Sequence, residues 1–171
     1  MTRANIHLIT GGQRSGKSAY AEQLALRANH RPVYLATSKV WDDEYQKRIQ
    51  LHQEGRTEAW ITIEETLTID ALDFPSEVVL LDCITLWLTN VFEHCAYDAI
   101  QAQKIAIEQL HKLFKKEVQL FIVSAEIGMG VIPIEASTRR FVDVHGAINQ
   151  YIAKQATKVS FMVSGLPLTI K

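Results

Sequence analysis

The sequence predicts an α/β fold: a mainly parallel sheet flanked by helices, with an antiparallel hairpin at its C-terminal edge. Three observations carry that expectation. Strand-like and helix-like stretches alternate along the chain, the pattern of strands joined through helical crossovers. A strand–glycine loop–helix unit stands at the front. The apolar run 78–82 ends in a carboxylate, Asp82.

The front unit organises the rest. Gly11, Gly12, Gln13, Arg14, Ser15, Gly16, Lys17 and Ser18 fit G-x-x-x-x-G-K-[ST], the phosphate-binding P-loop. Residues 6–10 before it suit a buried strand, and residues 19–26 after it are strong helix formers. Glycines let main-chain N–H groups turn inward around an anion, and the helix N-terminus adds partial positive charge. Lys17 is expected at the β- and γ-phosphates, and the Ser18 hydroxyl at Mg²⁺. The chain is therefore expected to bind a nucleoside triphosphate, as a P-loop NTPase fold does.

The bulk numbers describe one ordinary domain. At 171 residues, 47% hydrophobic and 22% charged, the chain is long enough for a full core. A net charge of −1 offers no basic field for nucleic acid or membrane. The most apolar stretch, 78–88, is too short to span a bilayer and is broken by Asp82. Residues 1–5 lead straight into the first strand with no signal-peptide pattern, so a cytoplasmic protein is expected. Cys83 and Cys95 lack metal-ligand spacing and read as two reduced thiols, at least one of them buried.

Residues 32–36 read as a second strand, with Thr37 and Ser38 at its C-terminal end, where open α/β sheets hold their ligands. Those hydroxyls suit either phosphate and base contact or capping of the next element. Residues 41–53 read as a helix with Asp42, Asp43 and Glu44 in its first turn and Gly55 as its stop. Arg48 lies one turn before His52, and Arg56 just beyond the helix end. Nearby positive charge favours a neutral, nucleophilic imidazole, and the same arginines suit a phosphate held against it. Spacing alone favours an exposed, inert histidine over that reading.

Residues 59–63 resemble a strand ending at Glu64, and 78–82 a clearer one that delivers Asp82 in the Walker B manner, near Mg²⁺ at the P-loop. A short helix over 84–92 and a longer amphipathic one over 97–116, with Ile100, Ile105, Leu110 and Phe114 apolar, follow. Residues 118–124 form another buried strand, running into a glycine loop with Glu126, which suits ordering a nucleophile or metal or simply making the turn. Residues 133–156 read as helix, carrying Arg139, Arg140, Asp143 and Asn149. The arginine pair reads as a solvated face, or as one turned to phosphate or a second subunit. Residues 159–163 and 168–170 close the sheet as a hairpin around residues 165–167.

The ordered set of pieces resembles the bifunctional adenosylcobinamide kinase/adenosylcobinamide-phosphate guanylyltransferase family. The P-loop with Thr10, the Ala36-Thr37-Ser38 step, the Arg48, Ile49, His52, Gly55, Arg56, Trp60, Glu64 series and the run 81–85 carry the likeness. The run 126–130 and the Arg139, Phe141, Asp143, Gly146, Asn149 series extend it over nearly the whole chain. The resemblance implies a RecA-like fold and a homo-oligomer, expected to be a trimer. It implies an enzyme that phosphorylates adenosylcobinamide with ATP or GTP. The same enzyme then transfers GMP from GTP to that phosphate through a guanylylated histidine, matched here by His52. Leu51 stands where some members carry a second histidine. Nucleotide contacts implied by the resemblance are Gly11 to Ser18, Ala36, Thr37, Ser38, Gln53, Glu54, Gly55, Arg56, Glu64 and Asp82, the last being Glu in some members. A small-molecule kinase without a covalent intermediate is the nearest alternative. A regulatory GTPase is disfavoured by the absence of an N-K-x-D guanine motif, and a non-enzymatic nucleotide sensor differs by lacking turnover.

Overall fold

In the computed structural model, residues 4–39 and 58–171 are described. They form β1 (Asn5–Gly11), α1 (Lys17–Ala28), β2 (Val33–Ala36), β3 (Ile61–Glu64), β4 (Val78–Asp82), α2 (Ile84–His94), α3 (Ala99–Leu113), β5 (Gln119–Ala125), α4 (Ala136–Gln155), β6 (Lys158–Val163) and β7 (Leu166–Thr169). The expected helix over 41–53 lies outside the described residues.

The seven strands make one sheet in the order β3-β2-β4-β5-β1-β6-β7. Every pairing is parallel except β6 with β7. β5 therefore lies between the P-loop strand and the strand that ends in Asp82.

Two-residue alternation decides which side chains meet which helices. Ile6 and Leu8 of β1, Val33 and Leu35 of β2, Val79 and Leu81 of β4, and Leu120 and Ile122 of β5 face α2, α3 and α4. Ile9, Tyr34, Leu80, Phe121 and Val123 face the other way, toward α1. Because both faces are covered, the central strands read as unbroken apolar runs rather than alternating ones. α1 meets the sheet through Ala21 and Ala25, both wholly buried, so its axis approaches closely. Trp87 of α2 is also fully buried, and its indole N–H donates to the Leu67 carbonyl at 3.0 Å. That satisfies the ring's single polar atom inside the core.

The element boundaries follow local chemistry. β3 begins at Ile61 rather than at residue 59, because Trp60 is buried edge-on against Tyr34, with ring centroids 5.5 Å apart. α3 begins at Ala99, where the Asp98 side chain accepts from the N–H groups of Ile100 and Gln101 at 2.9 and 3.0 Å. Its buried stripe is Ala102, Ala106, Leu110 and Leu113. Ile100, expected on the apolar face, is 85% exposed because, two residues from Ala102, it lies on the side of the helix opposite the buried stripe. The expected C-terminal hairpin is present, but its turn is Ser164-Gly165 with φ of 51° and 82°, so β7 starts at Leu166. Two consecutive left-handed residues suit a two-residue hairpin turn. Pro167 is tolerated because β7 is an edge strand. Cys83 and Cys95 are free thiols, Cys95 buried.

The Asp98 cap gives a direct test of this reading of α3. Asp98→Ala should lower unfolding stability by about 1 kcal/mol, and Asp98→Asn by much less. Denaturant titrations of the two variants beside the parent chain check it.

Candidate active site

The P-loop is shaped by close main-chain approaches. Gly11 ends β1 with φ +155°, and a Cβ there would stand 2.6 Å from the Met162 carbonyl oxygen. Gly16, at φ +92°, precedes α1, and its Cβ would lie 3.2 Å from the Cα of Gly165. The Gly165 N–H donates to the Ser15 carbonyl at 3.0 Å. The turn of the β6–β7 hairpin is thus a wall of the phosphate loop, a role that no sequence signal near residue 165 announced.

Lys17 and Ser18 open α1 as expected. The Lys17 ammonium donates to the Gly12 carbonyl at 2.8 Å, so it lies back across the loop. Burial pulls its pKa below the ordinary lysine value, while the adjacent Cys83 and Asp82 act in the opposite sense. The Ser18 hydroxyl is 3.4 Å from Asp82 Oδ1. The other carboxylate oxygen, Oδ2, accepts from the Tyr34 hydroxyl at 2.5 Å. Tyr34 sits on β2, 2% exposed. Ser18 and Asp82 present oxygen donors side by side, a set that fits Mg²⁺, which takes few protein ligands and completes its octahedron with phosphate and water. Among the described residues no group of three or more His, Cys, Asp or Glu is placed to hold a metal. Burial and the Asp82 charge push the Cys83 thiol up to about 12, so it stays protonated beside the site.

Sheet register puts the predicted residues at one level. Ala36 pairs with Glu64 on one side and with Asp82 on the other. Thr37, just beyond, is fully buried; its hydroxyl donates to the Cys83 carbonyl at 2.9 Å and accepts from the Cys83 N–H at 3.0 Å. The Thr37 hydroxyl thus ties β2 to β4. Ser38 is half-buried beside it. Asn90 of α2, buried, donates to the carbonyls of Thr37 and Thr66 at 2.8 and 3.1 Å and fixes the ends of β2 and β3 together. Gln13 and Arg14 are exposed at the tip of the loop, Arg14 with φ 56°. His52, Gln53, Glu54, Gly55, Arg56 and Arg48 lie outside the described residues.

A second, buried polar cluster supports the end of β5. The Ala125 N–H donates to the Thr85 hydroxyl at 2.9 Å, and the Asn149 amide donates to the Ala125 carbonyl at 3.3 Å. That orients the Asn149 oxygen toward the Ser124 hydroxyl, which donates to it at 2.6 Å. His145 Nε2 lies 2.9 Å from the Thr85 hydroxyl and 3.4 Å from that of Ser124. With the Ser124 proton already used, the assignment that satisfies every group has Thr85 donating to an unprotonated Nε2. Burial lowers the His145 pKa to about 4, in keeping with a neutral ring. One residue further on, the Glu126 N–H donates to the Gly11 carbonyl at 2.9 Å. Thr85 and Asn149 stood within the motif series of the sequence without a role; Tyr34, Ser124 and His145 were not singled out there at all.

Comparisons with known proteins meet this geometry. The family model described as cobinamide kinase / cobinamide phosphate guanyltransferase matches residues 7–170. The chain belongs to this family. It is 37% identical to the bifunctional adenosylcobalamin biosynthesis protein CobU of Escherichia coli K12, covering 96% of this chain and 98% of that one. It is 38% identical to the bifunctional adenosylcobalamin biosynthesis protein CobP of Pseudomonas aeruginosa, covering 96% of each. In fold it is similar to the flagellar accessory protein FlaH of Methanocaldococcus jannaschii, with a TM-score of 0.51 at 14% identity, over 100% of this chain and 80% of that one. The P-loop kinase and nucleotidyltransferase architecture expected from the sequence is the one observed, including the antiparallel edge strand. No helix among the described residues is long and apolar enough to cross a membrane.

The buried cluster generates an acid-stability prediction. His145 and His7 both hold folded pKa values of about 4 against an ordinary 6.5, His7 through burial and then the nearby Lys158 charge. Between those values the unfolded chain binds more protons, so stability is complete above pH 6.5 and falls as the pH drops from 6.5 toward 4. His145→Gln should make the melting temperature fall less steeply through that window. Melting curves at half-unit pH steps read the slope.

Proposed function

We propose that this chain first phosphorylates the aminopropanol hydroxyl of adenosylcobinamide with ATP or GTP. It then transfers GMP from GTP to the new phosphate, releasing pyrophosphate and giving adenosylcobinamide-GDP. The observation that carries the reading is family membership over nearly the whole chain; the grouping of Lys17, Ser18 and Asp82 at the P-loop supports it. A cytoplasmic homotrimer belongs to the same reading.

In the kinase step the substrate oxygen attacks the γ-phosphorus, the bond to the β-phosphate oxygen breaks, and the hydroxyl proton leaves to a base. Asp82 is committed to Ser18 and Tyr34, which suits the metal side of the site. That leaves Glu126, half-buried at the end of β5 and engaged by the Gly128 N–H at 3.3 Å, as the better candidate for the base. Bound Mg²⁺ would neutralise charge on the phosphates, and Lys17 adds a fixed positive charge beside them. In the transfer step an imidazole nitrogen of His52 attacks the α-phosphorus and pyrophosphate leaves. The substrate phosphate then attacks the same phosphorus and the P–N bond breaks, freeing the imidazole. Arg48 and Arg56 are assigned to the transferring phosphoryl group on charge and spacing.

Incubation with GTP labelled at either the α- or the γ-phosphate, followed by denaturation, tests the covalent step. Acid-labile label from α-labelled GTP alone, absent in His52→Ala, is the expected result. GTP binding without covalent label would leave the plain small-molecule kinase in front.

Tyr34 gives a second test, of the metal side. Tyr34→Phe keeps the ring against Trp60 but removes the hydrogen bond that fixes one Asp82 oxygen. A hydrogen bond to a charged group contributes about 1.5–3 kcal/mol. The Mg²⁺ concentration for half-maximal turnover should therefore rise about tenfold, and the melting temperature should fall by a few degrees. An unchanged Mg²⁺ dependence would detach Tyr34 from metal placement.

A further inference from the structure

A corrinoid is a broad macrocycle whose rim carries methyl groups and amide arms, and its phosphorylated hydroxyl sits at the end of one arm. The ring therefore has to lie outside the phosphate loop while its arm reaches in. Among the described residues, the loop after β5 suits that position. β5 runs between β1 and β4, and the loop that leaves it, residues 126–135, is pinned to the P-loop by the Glu126 N–H on the Gly11 carbonyl at 2.9 Å. Its far end is pinned to α4, where the Arg139 guanidinium donates to the Pro133 carbonyl at 2.9 Å and to the Ile134 carbonyl.

Held at both ends, the loop nevertheless turns its apolar side chains outward. Val131, Ile132 and Ile134 are 96%, 77% and 93% exposed, and Met129 is exposed beside them. Clustered aliphatic exposure of this kind on a tethered loop marks a binding surface. Between the loop and α4 lies a cavity of about 490 Å³, lined by Ile127, Val131, Ile132, Pro133, Arg140 and Asp143 among others. That is the size of an ordinary ligand pocket, with an apolar wall and a few charged groups on one side. It is large enough for one edge of a macrocycle.

We propose that the 126–135 loop and the first turns of α4 form the cradle for the corrin ring of the acceptor. Val131, Ile132 and Pro133 meet the methyl-bearing rim, and Arg140 and Asp143 face the amide arms. This rests on the cobinamide reading above and adds where the bulk of that substrate lies. The loop's attachment to Gly11 starts the cradle at the edge of the P-loop, so the arm enters past Glu126.

The test uses the full chain with Ile132→Glu and Arg140→Ala, and with Ile100→Glu as a control on the remote, exposed start of α3. Adenosylcobinamide turnover gives kcat and KM, the corrinoid absorbance change on mixing gives binding, and label from α-labelled GTP reports the nucleotide half of the site without any corrinoid. Ile132→Glu sets a carboxylate against an apolar rim. The KM for adenosylcobinamide should rise about tenfold or more in that variant while labelling by GTP persists. Ile100→Glu should match the parent chain. An unchanged corrinoid KM and absorbance response in Ile132→Glu would overturn the cradle. A changed oligomer mass in Ile132→Glu, with corrinoid and GTP signals falling together, would reassign the loop to a contact between copies of the chain and also overturn it. A parent chain that labels with GTP yet neither binds nor turns over the corrinoid would remove the parent reading of the acceptor, and the cradle with it.

Discussion

Main chain packs directly against main chain where the β6–β7 hairpin stands against the phosphate loop. Only glycine at 11 leaves room for the Met162 carbonyl, and only a small residue at 16 leaves room for Gly165. Positive φ at residues 164 and 165 lets the turn tighten enough to donate its N–H to Ser15. A loop that binds anions with its own N–H groups has to hold them convergent before the anion arrives. Otherwise ordering costs about 1–2 kcal/mol for every residue fixed. The antiparallel hairpin, which looks like an accessory at the sheet edge, supplies part of that order. The glycines at 11 and 16 are thus fixed by two requirements at once, the backbone path and the neighbour.

Sheet register then converts the fold into chemistry. Ala36, Glu64 and Asp82 stand at one level because β2 pairs with β3 and β4 without offset. Alternation sends Tyr34 to the α1 face, where its hydroxyl reaches the Asp82 carboxylate. A one-residue slip of β2 would turn Tyr34 to the opposite face and remove the contact. The register is held by more than the ladder. Thr37 bonds both backbone groups of Cys83, and Asn90 from α2 bonds the carbonyls that follow β2 and β3. Polar side chains at strand ends here set alignment to the level of single residues, as buried hydrophobic contacts, being non-directional, do not.

What the sequence made legible were features whose cause is local. The P-loop needs glycines at fixed offsets, β4 announces itself as an apolar run closed by a carboxylate, and the alternation of elements predicts a parallel sheet. Local stretches were less informative where tertiary packing decided. Trp60 looked like strand and is an aromatic plug against Tyr34; Ile100 looked like core and is exposed, since it lies opposite the stripe of Ala102, Ala106, Leu110 and Leu113. The partners of Asp82 were half legible: Ser18 comes with the motif, whereas a tyrosine inside a buried strand looks like any other large side chain. The Thr85–His145–Ser124–Asn149 cluster was illegible by composition, because its four residues come from three elements up to 64 positions apart in number and meet only in the fold.

That cluster explains why the end of β5 is fixed. Each donor in it has one acceptor: Ala125 gives to Thr85, Thr85 to His145, Ser124 to Asn149, and Asn149 back to Ala125. Shifting β5 relative to α2 or α4 would leave a buried group unpaired, at a cost of about 1–3 kcal/mol for each. A neutral His145 belongs to this arrangement, since a protonated ring would place a second donor against the Thr85 hydroxyl. Order of this kind reaches Glu126 through its N–H to Gly11. In the proposed function Glu126 stands at the fixed end of β5 and the apolar surface follows it, so the chain meets the two demands of the reaction in turn. Phosphoryl transfer requires fixed geometry within fractions of an ångström, whereas holding one rim of a wide, methylated ring requires area and shape.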